Sequence, residues 1–217
     1  VRERGRFITL EGIEGAGKSS QIGTLVQVLA ELGIPAITTR EPGGSPVAEQ
    51  IRGILLDRGN QGMSPMAELL LVFAARAEHL EKVIIPALTQ GTWVLCDRFT
   101  DATYAYQGGG RGMDRGPIAQ LEGLVQGDLR PDLTLLFDLP PEIGLGRARG
   151  RGPADRFESE RLAFFEGARA AYLGRARTVP RRYRVLDASC SLESVTAEVS
   201  RLLRDFVTSC RNQGNRG

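Results

Sequence analysis

Residues Gly12-Ile13-Glu14-Gly15-Ala16-Gly17-Lys18-Ser19, followed by Ser20, fit the pattern G-x-x-x-x-G-K-[ST] throughout. The run before them, Arg6–Glu11 (RFITLE), reads as a strand. After them Ile22, Leu25, Val26, Leu29 and Leu32 recur at helical spacing, and Gly33 and Pro35 stop the helix. A glycine-rich turn between a strand and a helix is the setting in which this pattern binds phosphate. Gly12, Gly15 and Gly17 let backbone N–H groups converge without Cβ obstruction, making an anion nest at a helix N-terminus. Lys18 is then expected to reach the β- and γ-phosphates of a nucleotide, and the Ser19 hydroxyl to hold Mg²⁺. Lys18 and Lys82 are the only lysines among 28 basic side chains, so a compact ammonium at position 18 stands out in an arginine-rich chain.

Outward from this loop, four further β-like runs alternate with helical patterns: Ala36–Arg40, Thr92–Asp97, Leu133–Asp138 and Tyr183–Asp187. Several are nearly continuous in apolar residues, as strands covered on both faces should be. Ser45-Pro46 and Ser64-Pro65 each offer an N-cap followed by proline at the first helical position. Val195, Val199, Leu202 and Phe206 mark a C-terminal helical stripe. The alternation predicts an α/β fold of the P-loop NTPase type, three layers with a five-stranded parallel sheet and helices on both faces.

The 217 residues fit a single domain, 1–217, with frayed ends at 1–5 and in a polar tail at 211–217. A net charge of +2 argues against a nucleic-acid binder. Cys96, Cys190 and Cys210 are too scattered for a disulfide framework or zinc site, and Cys96 reads as core filler. No apolar run approaches the ~20 residues of a membrane span, and no signal-peptide pattern opens the sequence. A reducing, cytoplasmic setting is the expectation.

The segments Phe7–Ser20, Thr39–Gly44 (TREPGG), Phe73–Arg76 (FAAR), Asp97-Arg98-Phe99, Tyr104–Gly112 (YAYQGGGRG) and Arg130–Glu158 resemble, in order, thymidylate kinases of the bacterial type. The resemblance runs from about Phe7 to Phe206. It implies phosphorylation of dTMP to dTDP with ATP and Mg²⁺ for dTTP supply, a mobile lid at about 147–158, and a homodimer. It places ATP on residues 12–20 with Arg147 and Arg149. It places dTMP on Glu14 near the sugar 3′-hydroxyl, on Phe73 and Arg76 at the base, and on Thr103, Tyr106 and Gln107 along base and deoxyribose.

The residues carry part of this reading themselves. Asp97-Arg98 closes an apolar run at a strand's carboxyl end, where open α/β sheets bind ligands. Asp97 is thus a candidate for Mg²⁺ through water and Arg98 for the acceptor phosphate, against the alternative of a structural ion pair. Asp138 ends another strand and ranks second for the metal. Arg147, Arg149, Arg151, Arg156 and Arg161 form either a solvated basic face or, as the resemblance implies, the lid's arginines. Some family members carry the transition-state arginine inside the phosphate loop; the matching residue here is Gly15, so the lid must supply it, with Arg151 first and Arg147 and Arg149 next. By residue type alone Phe73 reads first as a core side chain, and the resemblance reverses that order. Gly108–Gly110 reads as a flexible turn, His79 as exposed surface, Tyr172 as core, and Phe99 replaces the tyrosine or histidine of many relatives. Competing readings are a kinase for another nucleoside monophosphate and a nucleotide-dependent switch; a GTPase switch needs an N-K-x-D motif, which the sequence lacks.

Overall fold

Strand β1 (Phe7–Glu11) is buried along its whole length. It lies at the centre of a five-stranded sheet in the computed structural model, which describes residues 4–148 and 155–214. With β2 (Ala36–Arg40), β3 (Trp93–Asp97), β4 (Leu133–Asp138) and β5 (Tyr183–Asp187), the order is β2-β3-β1-β4-β5 and every pairing is parallel. All five expected runs form strands; the first and third start one residue late, at Phe7 and Trp93.

Alternation along the strands sorts side chains to two faces. Ile8, Leu10 and Leu95 join Leu25 and Leu29 of helix α1 (Lys18–Glu31) and Val199 and Leu203 of helix α9 (Leu192–Gly214). Phe7, Val94 and Cys96 join Leu80, Ile84 and Leu88, from a π-helical turn at Leu80–Ile84 and helix α4 (Ile85–Thr89). Helices therefore cover both faces. On α1 the buried stripe takes Val28 where the spacing favoured Val26, which is partly exposed. Helix α9 continues through Gly214, past the expected start of a frayed tail at Arg211, whose Nη2 donates to the Leu32 carbonyl at 3.0 Å.

Helices α2 (Pro46–Leu56) and α3 (Pro65–His79) start where the N-caps predicted, with Ser45 and Ser64 hydroxyls accepting from the Ala48 and Ala67 amides. Past β3 come α5 (Thr100–Thr103), a second π-helical turn (Tyr104–Gly110), α6 (Arg115–Gln126), α7 (Pro141–Ala148) and α8 (Leu162–Thr178). Gly108–Gly110 is thus helical, not a flexible turn. The reason is contact: a Cβ on Gly109 or on Gly167 of α8 would overlap the other's carbonyl oxygen, so the paired glycines let α8 lie on this turn.

The strand order determines where a ligand can enter. The neighbours of β1 lie on opposite sides, β3 on one and β4 on the other. Connections leaving the carboxyl ends of β1 and β3 diverge there and leave a crevice.

Candidate active site

The loop after β1 carries three glycines at positive φ, Gly12 at 140°, Gly15 at 71° and Gly17 at 83°. These angles suit residues without Cβ and turn successive amides toward the N-terminus of α1. Ile13 and Ala16 of the loop are buried, while Ser20, in the first turn of the helix, is exposed. Lys18 lies against the loop, Nζ donating to the carbonyls of Gly12 at 2.9 Å and Ile13 at 3.0 Å. Burial and then the nearby Arg98 charge lower the Lys18 ammonium to about 8.

Across from the loop, Asp97 ends β3. Its Oδ2 accepts from the Ser19 hydroxyl at 3.2 Å, while the buried Oδ1 has no hydrogen-bond partner among the described residues. Arg98 follows at φ 70°, a left-handed conformation costly for a side-chain-bearing residue. Its guanidinium donates to Gly12 O at 2.7 Å, to Glu14 Oε1 at 2.9 Å and to the Tyr172 hydroxyl at 3.3 Å. It also stands 4.8 Å from the centre of the Tyr106 ring, and Tyr106 donates to Glu14 Oε2. Tyr172 is in the core as expected, yet its hydroxyl is tied into the site.

The same cavity is walled by Arg76, Thr103, Tyr106 and Gln107. Arg76 is almost wholly buried; Nε donates to Glu41 Oε2 at 2.7 Å and Nη2 to the Thr103 hydroxyl at 2.9 Å. Gln107 donates to Glu68 at 2.8 Å.

Several expectations are corrected. Phe73 does not face the cavity; Val72 does. The three-residue spacing places the Phe73 ring 4.7 Å from the Arg76 guanidinium carbon, and Leu69, Tyr104 and Ile118 surround it. His79 is buried, not exposed: α3 turns it inward between Thr39 and Glu41, against the charged flanks that suggested surface. Asp138 is absent from the cavity wall and forms a two-pronged pair with Arg169 at 2.7 and 2.8 Å. Arg147 donates to the carbonyls of Ala188 and Ser189 beyond β5. Arg156, counted with the lid's arginines, is buried and pairs with Glu68 at 2.6 Å. Arg149 and Arg151 lie outside the described residues.

Arg52 and Glu41 are among the cavity residues that escaped the sequence reading. Arg52 of α2 adds a cation, its Nη1 donating to the Pro42 carbonyl at 2.8 Å. Glu41, inside the TREPGG segment, had no assigned role; its position immediately after a strand was the available signal.

A phosphate cradle at the carboxyl edge of a parallel sheet, sharing one cavity with a second set of cations, defines a P-loop nucleoside monophosphate kinase. Residues 10–199 match the family model described as thymidylate kinase. A thymidylate kinase of Ectopseudomonas mendocina (strain ymp) is 59% identical over 207 residues, covering 95% of this chain and 99% of the relative. One from Pseudomonas syringae pv. tomato is 60% identical over 203 residues, covering 94% and 97%. The crystal structure of thymidylate kinase from Ehrlichia chaffeensis superposes with a TM-score of 0.75 at 35% identity, covering 93% of this chain and 99% of that one. The chain belongs to the thymidylate kinase family.

Proposed function

We propose that this chain transfers the γ-phosphoryl group of ATP to dTMP, giving dTDP and ADP and so supplying dTTP for DNA synthesis. The observation that carries the reading is one cavity walled by Lys18 and Ser19, by Arg98, and by the buried pair Arg76–Thr103. Two polyanions must approach each other here, and catalysis consists mainly of holding them in line and stabilising charge. The loop amides of residues 12–20 and Lys18 bind the donor phosphates. Arg98, with Arg52, grips the acceptor phosphate. Arg76 and Thr103 read the thymine edge, Tyr106 and Gln107 line base and sugar, Glu14 faces the sugar hydroxyl, and Phe73 braces Arg76 from behind.

The residues fit a Mg²⁺ ion. Ser19 and Asp97 offer hard oxygen donors beside the phosphate loop, and the unpartnered Asp97 Oδ1 is available directly or through water. When bound, Mg²⁺ neutralises charge on the β- and γ-phosphates. Gly15 offers no side chain, so Arg151 is our choice for the transition-state cation, followed by Arg149 and Arg147.

The working form is a homodimer. Val47 and Ile54 on α2, Met66 and Leu70 on α3 and Leu124 on α6 are exposed, and α3 packs against both α2 and α6. Such a set of apolar side chains on adjoining helices suits a second copy. The cytoplasm is the proposed setting, where the three cysteines stay reduced. No described helix is long and apolar enough to cross a membrane.

ATP consumption with Mg²⁺ across nucleoside monophosphates tests the reading. We expect dTMP first and dUMP second, since a missing methyl is worth only about 1–3 kcal/mol. Cytosine should fall far behind because its exchanged donor pattern leaves the buried donors unpaired, and purines because of their size. Comparable turnover of dGMP or CMP would overturn the dTMP assignment.

A further inference from the structure

The guanidinium of Arg76 is held on nearly every side. Phe73 and Phe99 flank it, with ring centres 4.7 and 5.1 Å from Cζ. Along one edge, Nε donates to Glu41 and Nη2 to Thr103. The Nη1 atom, on the opposite side, is buried without a partner among the described residues, and Arg76 borders the cavity.

Glu41 is itself held. It follows β2, and its backbone N–H donates to the Asp97 carbonyl at 2.9 Å, fixing the chain beside β3. Its second oxygen, Oε1, lies 3.1 Å from His79 Nδ1, and His79 Nε2 lies 2.6 Å from the Thr39 hydroxyl. Nδ1–H of the imidazole donates to Glu41, while Nε2 and the Thr39 hydroxyl share a hydrogen bond. Glu41 and Arg76 form a buried ion pair.

We infer that His79 is a positioning residue for reading the acceptor's base, acting through Glu41 on Arg76. A carboxylate beside arginine favours the two-pronged arrangement, accepting from Nε and Nη2 together. His79 occupies Oε1 and holds Glu41 to Nε alone. Nη2 thereby stays with Thr103, and Nη1 is left without a partner among the described residues in a side chain that borders the cavity. Without His79, Oε1 turns to Nη2, displaces Thr103 and rotates Nη1 away from the acceptor. The inference rests on the reading that Arg76 meets the base.

The test compares Arg76→Ala, His79→Leu, His79→Asn and His79→Gln for KM with dTMP, KM with ATP, kcat and thermal transition. An asparagine amide places its N–H where Nδ1–H lies and can still engage Glu41. A glutamine amide reaches the Nε2 position and cannot. A charge-assisted hydrogen bond carries roughly ten- to hundred-fold in binding. His79→Leu and His79→Gln should therefore raise KM for dTMP by about ten-fold or more, with KM for ATP unchanged and His79→Asn close to the parent. A purely structural role would lower the thermal transition in all three without sparing ATP or favouring Asn. If Arg76→Ala raises KM for dTMP and folded His79→Leu and His79→Gln do not, the positioning role is overturned and base reading stands. If Arg76→Ala leaves it unchanged, base reading fails and the inference falls with it. Should His79→Leu not fold, the contrast between Asn and Gln decides.

Discussion

The Glu11 carboxylate at the end of β1 accepts the backbone N–H of Phe99 at 2.7 Å, pinning the chain directly after left-handed Arg98. Its other oxygen accepts from the Tyr172 hydroxyl at 2.9 Å. Burial, and then the charge of Asp101, raise Glu11 to about 8. Below that value the folded chain holds a proton that the unfolded chain releases in the ordinary carboxylate range. This contribution to stability is complete at low pH and is lost as pH climbs through about 8. Denaturant midpoints from pH 5 to 9 should show that decline in the parent and a shallower one in Glu11→Gln. Parallel curves for the two would refute it.

Lys18→Met should abolish activity without unfolding the chain. The parent buries an ammonium beside Arg98, and both burial and that charge oppose its protonation. Methionine relieves that opposition, so the thermal transition should hold or rise. Loss of one preorganised charge at the transferring group costs about 10²–10³ in kcat or more. Normal turnover in the folded variant would discard this loop as the donor site.

The arginines near position 150 should separate by kinetics. An arginine stabilising phosphoryl transfer is worth roughly 10³–10⁵ in rate, so Arg151→Ala should depress kcat far more than dTMP binding. Arg147 caps the carbonyls of Ala188 and Ser189, so Arg147→Ala should lower stability and change kcat less. Reversal of that ranking would move the catalytic charge to Arg147.

Glycine contacts predict opposite signs for one substitution. At Gly109 an added methyl overlaps the Gly167 carbonyl, and overpacking of this kind costs about 1–3 kcal/mol. At Gly123, inside α6, nothing lies within 4 Å, and alanine there should stabilise by about 0.5–1 kcal/mol. Urea denaturation of the two variants provides the check, and equal effects would contradict the packing described.

Leu124 is 81% exposed on α6. If α2, α3 and α6 form the dimer face, Leu70→Glu combined with Leu124→Glu should yield monomers in light scattering with the fold retained. An unchanged dimer would place the interface elsewhere.

What could be read from the sequence depended on how local the signal was. β2, β4 and β5 were delimited to the residue, with the apolar side chains of β4 and β5 ending at charged Asp138 and Asp187. The phosphate loop was readable because strand, glycines and helix lie within one short segment. His79 was misread because Glu78 and Glu81 flank it, whereas its partners Thr39 and Glu41 come from β2 and the turn after it. Phe73 was placed at the base by the resemblance, whereas its residue type pointed to the core, where Leu69, Tyr104 and Ile118 surround it. Arg52 gave no local sign, since α2 brings it to the cavity only after packing on α3.

Gly15 and Gly144 stand backbone to backbone: a Cβ on the first would overlap the carbonyl oxygen of the second, and a Cβ on the second would overlap the carbonyl of Glu14. The two positions are therefore sterically coupled. A side chain at position 15 requires helix α7 to shift, and α7 leads into the segment whose arginines we propose as the source of the transition-state charge. Intermediates would carry a displaced helix and a duplicated or missing charge. Descent within this family should thus show the loop arginine and the downstream arginines exchanging as a block, with position 144 changing alongside.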